Sequence, residues 1–78
     1  MNKSFRRKYD VVRLSREEAE RQGRAARLAF EAFSEPGAAV LFLNSFDDGL
    51  GGRPIDLAVA SAQGLSSVEQ AIAARSAA

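Results

Sequence analysis

Ala39-Val40-Leu41-Phe42-Leu43-Asn44-Ser45-Phe46-Asp47-Asp48-Gly49-Leu50-Gly51-Gly52-Arg53-Pro54-Ile55-Asp56-Leu57 is the stretch on which the reading of this chain turns. It opens as an apolar segment, stops at Asn44-Ser45 and crosses a short polar turn at Asp47-Asp48-Gly49. It then passes one leucine, Leu50, set among glycines, and restarts as a helix at Arg53-Pro54. Proline suits the first turn of a helix, where its missing N–H has no partner to lose and its fixed φ already fits. Gly51 and Gly52 give the backbone the freedom for a tight turn, positive φ included, just ahead of that start. Leu50 is then an apolar side chain held in a loop, read most simply as a plug between two helices.

Upstream of the turn, Ala38-Ala39-Val40-Leu41-Phe42-Leu43 is apolar nearly all round. Periodicity alone does not separate a buried helix from a buried strand in so short a run. Pro36-Gly37 starts it, two alanines lead it, and no second strand pattern stands ready to pair. The expectation is a central buried helix over about 36–44, with Ser34 or Glu35 as its cap. Pro36 also pushes Glu35 toward extended geometry, which separates this helix from the one before it.

That earlier helix is expected over about 16–33. Ser15-Arg16-Glu17-Glu18 matches a capping box, with Ser15 as N-cap and Glu18 reaching back to its amide. Glu17, Glu18 and Glu20 lie where the helix dipole favours anions. Glu17–Arg21 and Glu20–Arg24 stand in the favourable i,i+4 order, each pair contributing about 0.2–0.5 kcal/mol. Ala19, Gly23, Ala26, Phe30 and Phe33 trace the expected apolar stripe, widened by Leu28, Ala29 and Ala32.

Downstream, a short helix is expected from Pro54 to about Ala60, carrying Ile55, Leu57, Ala58 and Val59. Ser61 ends it or caps the next. A last helix spans roughly 62–75, with Leu65, Val68 and Ile72 at i, i+3 and i+7. Ser66-Ser67-Val68-Glu69 is a competing capping box, and Gly64 blurs that boundary. The fold class is therefore all-α: a small bundle of about four helices at 15–78, preceded by a basic N-terminal arm at 1–14.

Composition limits what such a bundle can do. The 78 residues make one domain near the lower end of what folds alone. Fifteen of them are alanine, which favours helix but buries little area, so the core is thin and a partner is expected to add stability. Residues 1–16 carry six basic side chains against Asp10 alone, or +5; residues 17–78 carry five basic against nine acidic, or −4. The arm could neutralise phosphates, but a solvated, partly disordered tail explains it more simply. Tyr9 to Leu14 could pair as a short strand when bound, but its alternation is poor.

Most chemistry is excluded. The chain has no Cys and no His, so no disulfide, thiolate, imidazole base or ordinary zinc site is available. Its eight serines face no base beyond Lys3 and Lys8 on the arm. The Gly49-to-Pro54 loop follows a helix rather than a strand, lacks the Lys-Ser/Thr of a P-loop, and loses one donor to Pro54. Asp47, Asp48 and Asp56 match no calcium loop. No apolar run approaches the roughly 18 residues of a membrane span, and the basic N-terminus lacks the apolar core of a secretory signal. The chain reads as a soluble cytoplasmic protein, with no cofactor and no enzyme activity.

Residues 39–72 resemble the toxin-binding domain of Xre/MbcA/ParS-type bacterial antitoxins. The resemblance rests on the small residue Ala39, the aromatic–leucine pair Phe42-Leu43, and the polar turn from Asn44 to Asp48. Leu50-Gly51-Gly52-Arg53, Pro54-Ile55-Asp56-Leu57, Gly64 and Val68 complete it. The match covers about half of the chain, with helix 16–33 as the counterpart of the family's leading helix. Phe42 stands where the family often has Trp, and Phe46-Asp47 where a Pro-Asn is common. The helix-turn-helix region of many relatives finds no room ahead of Ala39. Operator binding is therefore not expected, and the chain is either a stand-alone neutraliser or a piece of a longer one.

The resemblance implies a protein partner: a RES-type toxin that hydrolyses or phosphorolyses NAD, or transfers its ADP-ribose to a protein. The antitoxin would pack over the NAD cleft. The resemblance points to the final helix and tail, with Glu69, Ile72 and Arg75, as the part nearest the toxin pocket. Apart from the resemblance, two other classes stand: a nucleic-acid-binding module using the basic N-terminal arm, and a small helical self-association domain, which the Ala-rich faces would explain. Phe46, Asp47 and Asp48 are expected as surface specificity positions, with Leu50 and Arg53 beside them. Phe42, Leu43, Gly51, Gly52, Pro54, Asp56, Leu57, Gly64 and Val68 are expected to serve the fold. Leu50, Ile55, Leu57 and Leu65 are more often core than contact, and a local cap or ion pair between Arg53 and Asp56 ranks above direct toxin contact.

Overall fold

A computed structural model describes residues 14–77, and the basic arm up to residue 13, with most of the Tyr9–Leu14 stretch, lies outside these described residues. Among the described residues four helices follow in order: α1 (Arg16–Ala32), α2 (Pro36–Asn44), α3 (Pro54–Ala60) and α4 (Ala62–Ala77). The fold is an all-α four-helix domain, and the expected boundaries hold to within two residues. Among the described residues no helix is long and apolar enough to cross a membrane.

Local chemistry sets each start. The Ser15 hydroxyl accepts from the Glu18 amide at 3.1 Å, and the Glu18 carboxylate accepts from the Ser15 amide at 2.8 Å. Both halves of the capping box are therefore made, at the α1 N-terminus. Proline opens α2 and α3, and neither has a side-chain cap hydrogen bond. Glu35 occupies the α2 cap position but contributes only its carbonyl, which accepts from Ala38 and Ala39. Ser61 both ends α3 and begins α4, accepting the Gly64 amide on its hydroxyl at 2.9 Å. The competing start at Ser66 lies inside α4.

The core is built from small side chains. Ala25, Ala29, Ala39, Leu43, Ala58, Val68 and Ile72 are buried, and four of these seven are alanine. Leu28, Phe33, Phe42, Leu50, Ile55, Leu57 and Leu65 pack around them, half-buried. Leu50 thus rests against the core from its loop, as its plug reading requires. Alanines at the contacts let helix backbones approach closely while burying little area per residue.

Two expectations are corrected. The apolar stripe of α1 is rotated in part. Ala19, Gly23 and Phe30 face solvent, with Phe30 47 % exposed, and Ala25, outside the expected stripe, is buried. Ala26, Leu28, Ala29, Ala32 and Phe33 meet the core as expected. The helix turns its alanines inward because α3 and α4 both lie against that side. Nor is α2 the central helix. It packs on α1 and α3 through Ala39 and Leu43, and leaves Val40 and Leu41 48 % and 68 % exposed. An apolar run so short covers every direction of the helix, so its composition could not say which side is buried.

The arginines of α1 also act differently from the expected i,i+4 pairs. Arg21 crosses to the end of α3, donating from Nε to the Ala58 and Val59 carbonyls at 3.1 Å each and from Nη2 to Val59 at 2.6 Å. It satisfies carbonyls that a helix C-terminus leaves without internal partners. Arg24 pairs with Glu69 of α4 at 2.6 Å. Both side chains are thus used to join helices rather than to stabilise α1 alone.

Candidate functional site

The connection between α2 and α3 is organised by Asp47. Its amide donates to the Gly52 carbonyl at 3.0 Å, and its own carbonyl accepts from Leu50 at 3.1 Å and Gly51 at 2.7 Å. The side-chain Oδ2 accepts the Leu50 amide again, at 3.0 Å. Asp47 and Gly52 so close a small antiparallel bridge, and Gly51 takes the left-handed φ of +81° that the tight turn demands. Gly52 has no such need; a Cβ there would only touch Leu57 at 3.5 Å. The loop therefore emerges as a defined shape rather than a slack tether.

The start of α3 is fixed just as locally. Arg53 donates from Nε and Nη2 to the two carboxylate oxygens of Asp56, at 2.8 and 2.9 Å. This fork-to-fork hydrogen bond holds the Asp56 carboxyl below its ordinary range and raises Arg53 in turn. Pro54 behind the pair is buried. Arg53 and Asp56 themselves are exposed, so the local ion-pair reading of these two describes what the structure holds.

Arg75, in the last turn of α4, reaches back to the loop. Its Nη2 donates to Asp47 Oδ1, and its guanidinium lies 5.2 Å from the centre of the Phe42 ring. Phe42 in turn meets Phe33 with ring centres 5.5 Å apart and a tilt of 43°. The end of α1, the body of α2, the loop and the end of α4 are thus tied through Phe33, Phe42, Asp47 and Arg75. Aromatic and cation–π contacts of this kind contribute about 0.5–1.5 kcal/mol each.

Around this tie the surface is apolar. An open groove of about 380 Å³ is lined by Phe33, Ala38, Leu41, Phe42, Phe46 and the Asp47–Arg75 pair. Leu41 and Phe46, 68 % and 67 % exposed, form its outer lip. Arg75 and Asp47 also border a second groove of about 420 Å³, beside Leu50, Gln70 and Ala71. Leu41 and Phe46 thus place two large exposed apolar side chains on adjoining elements beside one groove.

The expected site residues divide into three places. Phe46, Asp47, Leu50 and Arg75 come together around the two grooves. Asp48 is exposed in the same loop, while Arg53 is engaged with Asp56. Glu69 and Ile72 lie elsewhere, bordering a separate groove between α1 and α4 with Arg24 and Leu28. Ile72 is only 3 % exposed and belongs to the core, so its expected role at a partner surface does not fit this fold. Asp47, expected as a free specificity position, is instead the fastening point of the loop.

The remaining motif residues take structural places. Leu43 and Val68 are buried, Phe42 and Leu57 half-buried, and Gly64 is pressed against the α3 backbone. Sequence reasoning passed over Leu41, Ala38 and Phe33 as groove residues. Leu41 carried little distinguishing signal, since the run from Ala38 to Leu43 around it is apolar throughout and Asn44 alone in its helix is polar. Among the described residues no three acidic side chains gather as metal ligands, Asp47, Asp48 and Asp56 included. Compared with family models, curated proteins and solved structures, the chain matches none of them.

Proposed function

We propose that this domain is a bacterial antitoxin that binds a RES-type, NAD-consuming toxin in the cytoplasm and occludes its NAD cleft. The observation that carries this reading is the position of the Leu50-to-Leu57 motif. The loop it builds is fastened directly beside the exposed Leu41 and Phe46, so the motif supports a surface that asks for a protein partner. A thin, alanine-rich core adds weight, since docking would stabilise a domain with little apolar burial of its own. Inhibition by occlusion needs shape and apolar contact rather than catalytic groups, and the surface offers those.

Co-purification with the protein encoded beside its gene, followed by an NAD-turnover assay, tests the reading. The expected result is a stable complex in which NAD consumption or ADP-ribosyl transfer appears only after this chain is removed. A neighbour that neither binds nor turns over NAD overturns it. Self-association through the same Leu41–Phe46 lip is the second reading. Its sign would be a mass that rises with concentration when no partner is present.

A further inference from the structure

Arg75 stands at the junction of the two grooves, stacked on Phe42 and fastened to Asp47. Among the described residues it is the one cation lining either of them. Asp47 is turned inward, its side chain 14 % exposed, with its second oxygen taken by the Leu50 amide. Arg75 is turned outward, 44 % exposed, with one of its five N–H donors directed at Asp47. The positive end of the ion pair therefore faces solvent, within a frame that already holds the guanidinium still.

We propose that this junction receives an acidic segment of a partner polypeptide. A carboxylate of that segment takes the free edge of Arg75, and a neighbouring aromatic or aliphatic side chain enters the groove between Leu41 and Phe46. A planar guanidinium accepts a carboxylate through paired hydrogen bonds, and one already stacked and fastened loses little freedom in doing so. The apolar lining asks the rest of the segment for aromatic or aliphatic side chains. A nucleic acid fits less well. Its run of phosphates requires several cations, whereas the described residues line these grooves with one arginine, which matches one carboxylate. The inference concerns the chemistry of the occupant and holds whichever protein supplies it.

The test is selection of a phage-displayed random peptide library on the full chain. Enriched peptides are then synthesised and titrated by fluorescence anisotropy. The expected peptides join Asp or Glu to a nearby Phe, Trp, Leu or Ile. They bind Arg75→Ala about tenfold or more weakly, Arg75→Lys with intermediate strength, and Leu41→Asp not measurably. Replacing the peptide's own carboxylate by its amide reproduces the Arg75→Ala loss. That substitution leaves the protein untouched and keeps the test valid even where Arg75→Ala disturbs the fold. Selection that enriches no peptide, or enriches basic ones, overturns the proposal. So do peptides that ignore both Leu41→Asp and the loss of their carboxylate, and so does single-stranded DNA that binds in an Arg75-dependent way.

Discussion

A Cβ placed on Gly64 would stand 2.0 Å from the carbonyl oxygen of Leu57 and 2.8 Å from its carbonyl carbon. Both atoms are backbone, one helix away, and cannot step aside as a flexible side chain could. Gly64 is what allows α4 to turn back on α3 after the single connecting residue Ser61. Its own amide meanwhile caps on the Ser61 hydroxyl. The crossing of these two helices carries much of the core, with Ala58 on one and Val68 on the other.

Gly64→Ala is accordingly expected to cost about 2–3 kcal/mol or to prevent folding, despite the better helix propensity of alanine. Gly23→Ala is the matching control. Gly23 lies in the exposed middle of α1 with nothing near a new Cβ, and the substitution should stabilise by about 0.5–1 kcal/mol. Urea denaturation followed by circular dichroism reads both. Equal effects of the two substitutions would remove the close-approach argument.

Gly51 poses a different demand, conformational rather than steric. Nothing stands within 4 Å of a Cβ there, yet its φ is +81°. Gly51→Ala should cost about 1–2 kcal/mol, and Gly51→Asn less, because asparagine tolerates the left-handed region better. Gly52→Ala, with ordinary contacts and no positive φ, should be milder than Gly51→Ala. The same denaturation series ranks the three.

Much of this architecture is legible in the residues, and the reason is local. The Ser15–Glu18 capping box, the prolines opening α2 and α3, and the Ser61 boundary act within a turn of their own position. Which way each helix faces is not local. The face of α1 is decided by helices that arrive later, and they select Ala25 and Ala29 over the larger Phe30. In α2 the run from Ala38 to Leu43 is apolar throughout, and Asn44 alone gives little sign that Leu41 would be outward. The groove likewise joins Phe33, Phe46 and Arg75 from three separate parts of the chain, and no spacing rule brings those together.

Arg21 shows how far such long-range roles escape pattern reading. Its helical neighbours suggested a surface pair with Glu17, whereas it binds two carbonyls at the end of α3. Arg21→Ala leaves these partly buried acceptors without their donor and should cost about 1–3 kcal/mol. Arg21→Lys keeps the charge but not the fork, so it should recover only part of that loss. Glu17→Ala should change stability by less than about 0.5 kcal/mol. Thermal melts of the three variants decide whether the α3 end or the surface pair matters.

The Arg53–Asp56 pair adds a dependence on acidity. Its hydrogen bond holds the Asp56 carboxyl below the ordinary value, about 3.9 in an unfolded chain. The ionised folded form is thereby favoured, and its contribution is fully present above that unfolded value. It is lost as pH falls through the lower folded value, where the native chain must also take up the proton. Asp56→Asn should therefore be less stable than wild type near neutrality, and the two should converge in strong acid. Because both groups are fully exposed, the difference at neutral pH should shrink with added salt. Urea midpoints measured against pH, at low and high salt, test the assignment.

Leu41 and Phe46 separate stability from recognition. Both are about two-thirds exposed, so Leu41→Ser and Phe46→Ser should change folding free energy by less than about 0.5 kcal/mol. If their groove is the docking surface, each should weaken the complex with the gene-neighbour protein about tenfold or more. Val40 supplies the internal control. It belongs to the same helix and is 48 % exposed, but it does not line the groove. Val40→Ser should leave binding almost unchanged, as measured by calorimetry on purified proteins. Loss of binding in all three variants would mean that α2 docks by another face. Loss confined to Leu41 and Phe46 would place the partner against Phe42 and Arg75, where the chain's apolar surface and its outward-facing charge meet.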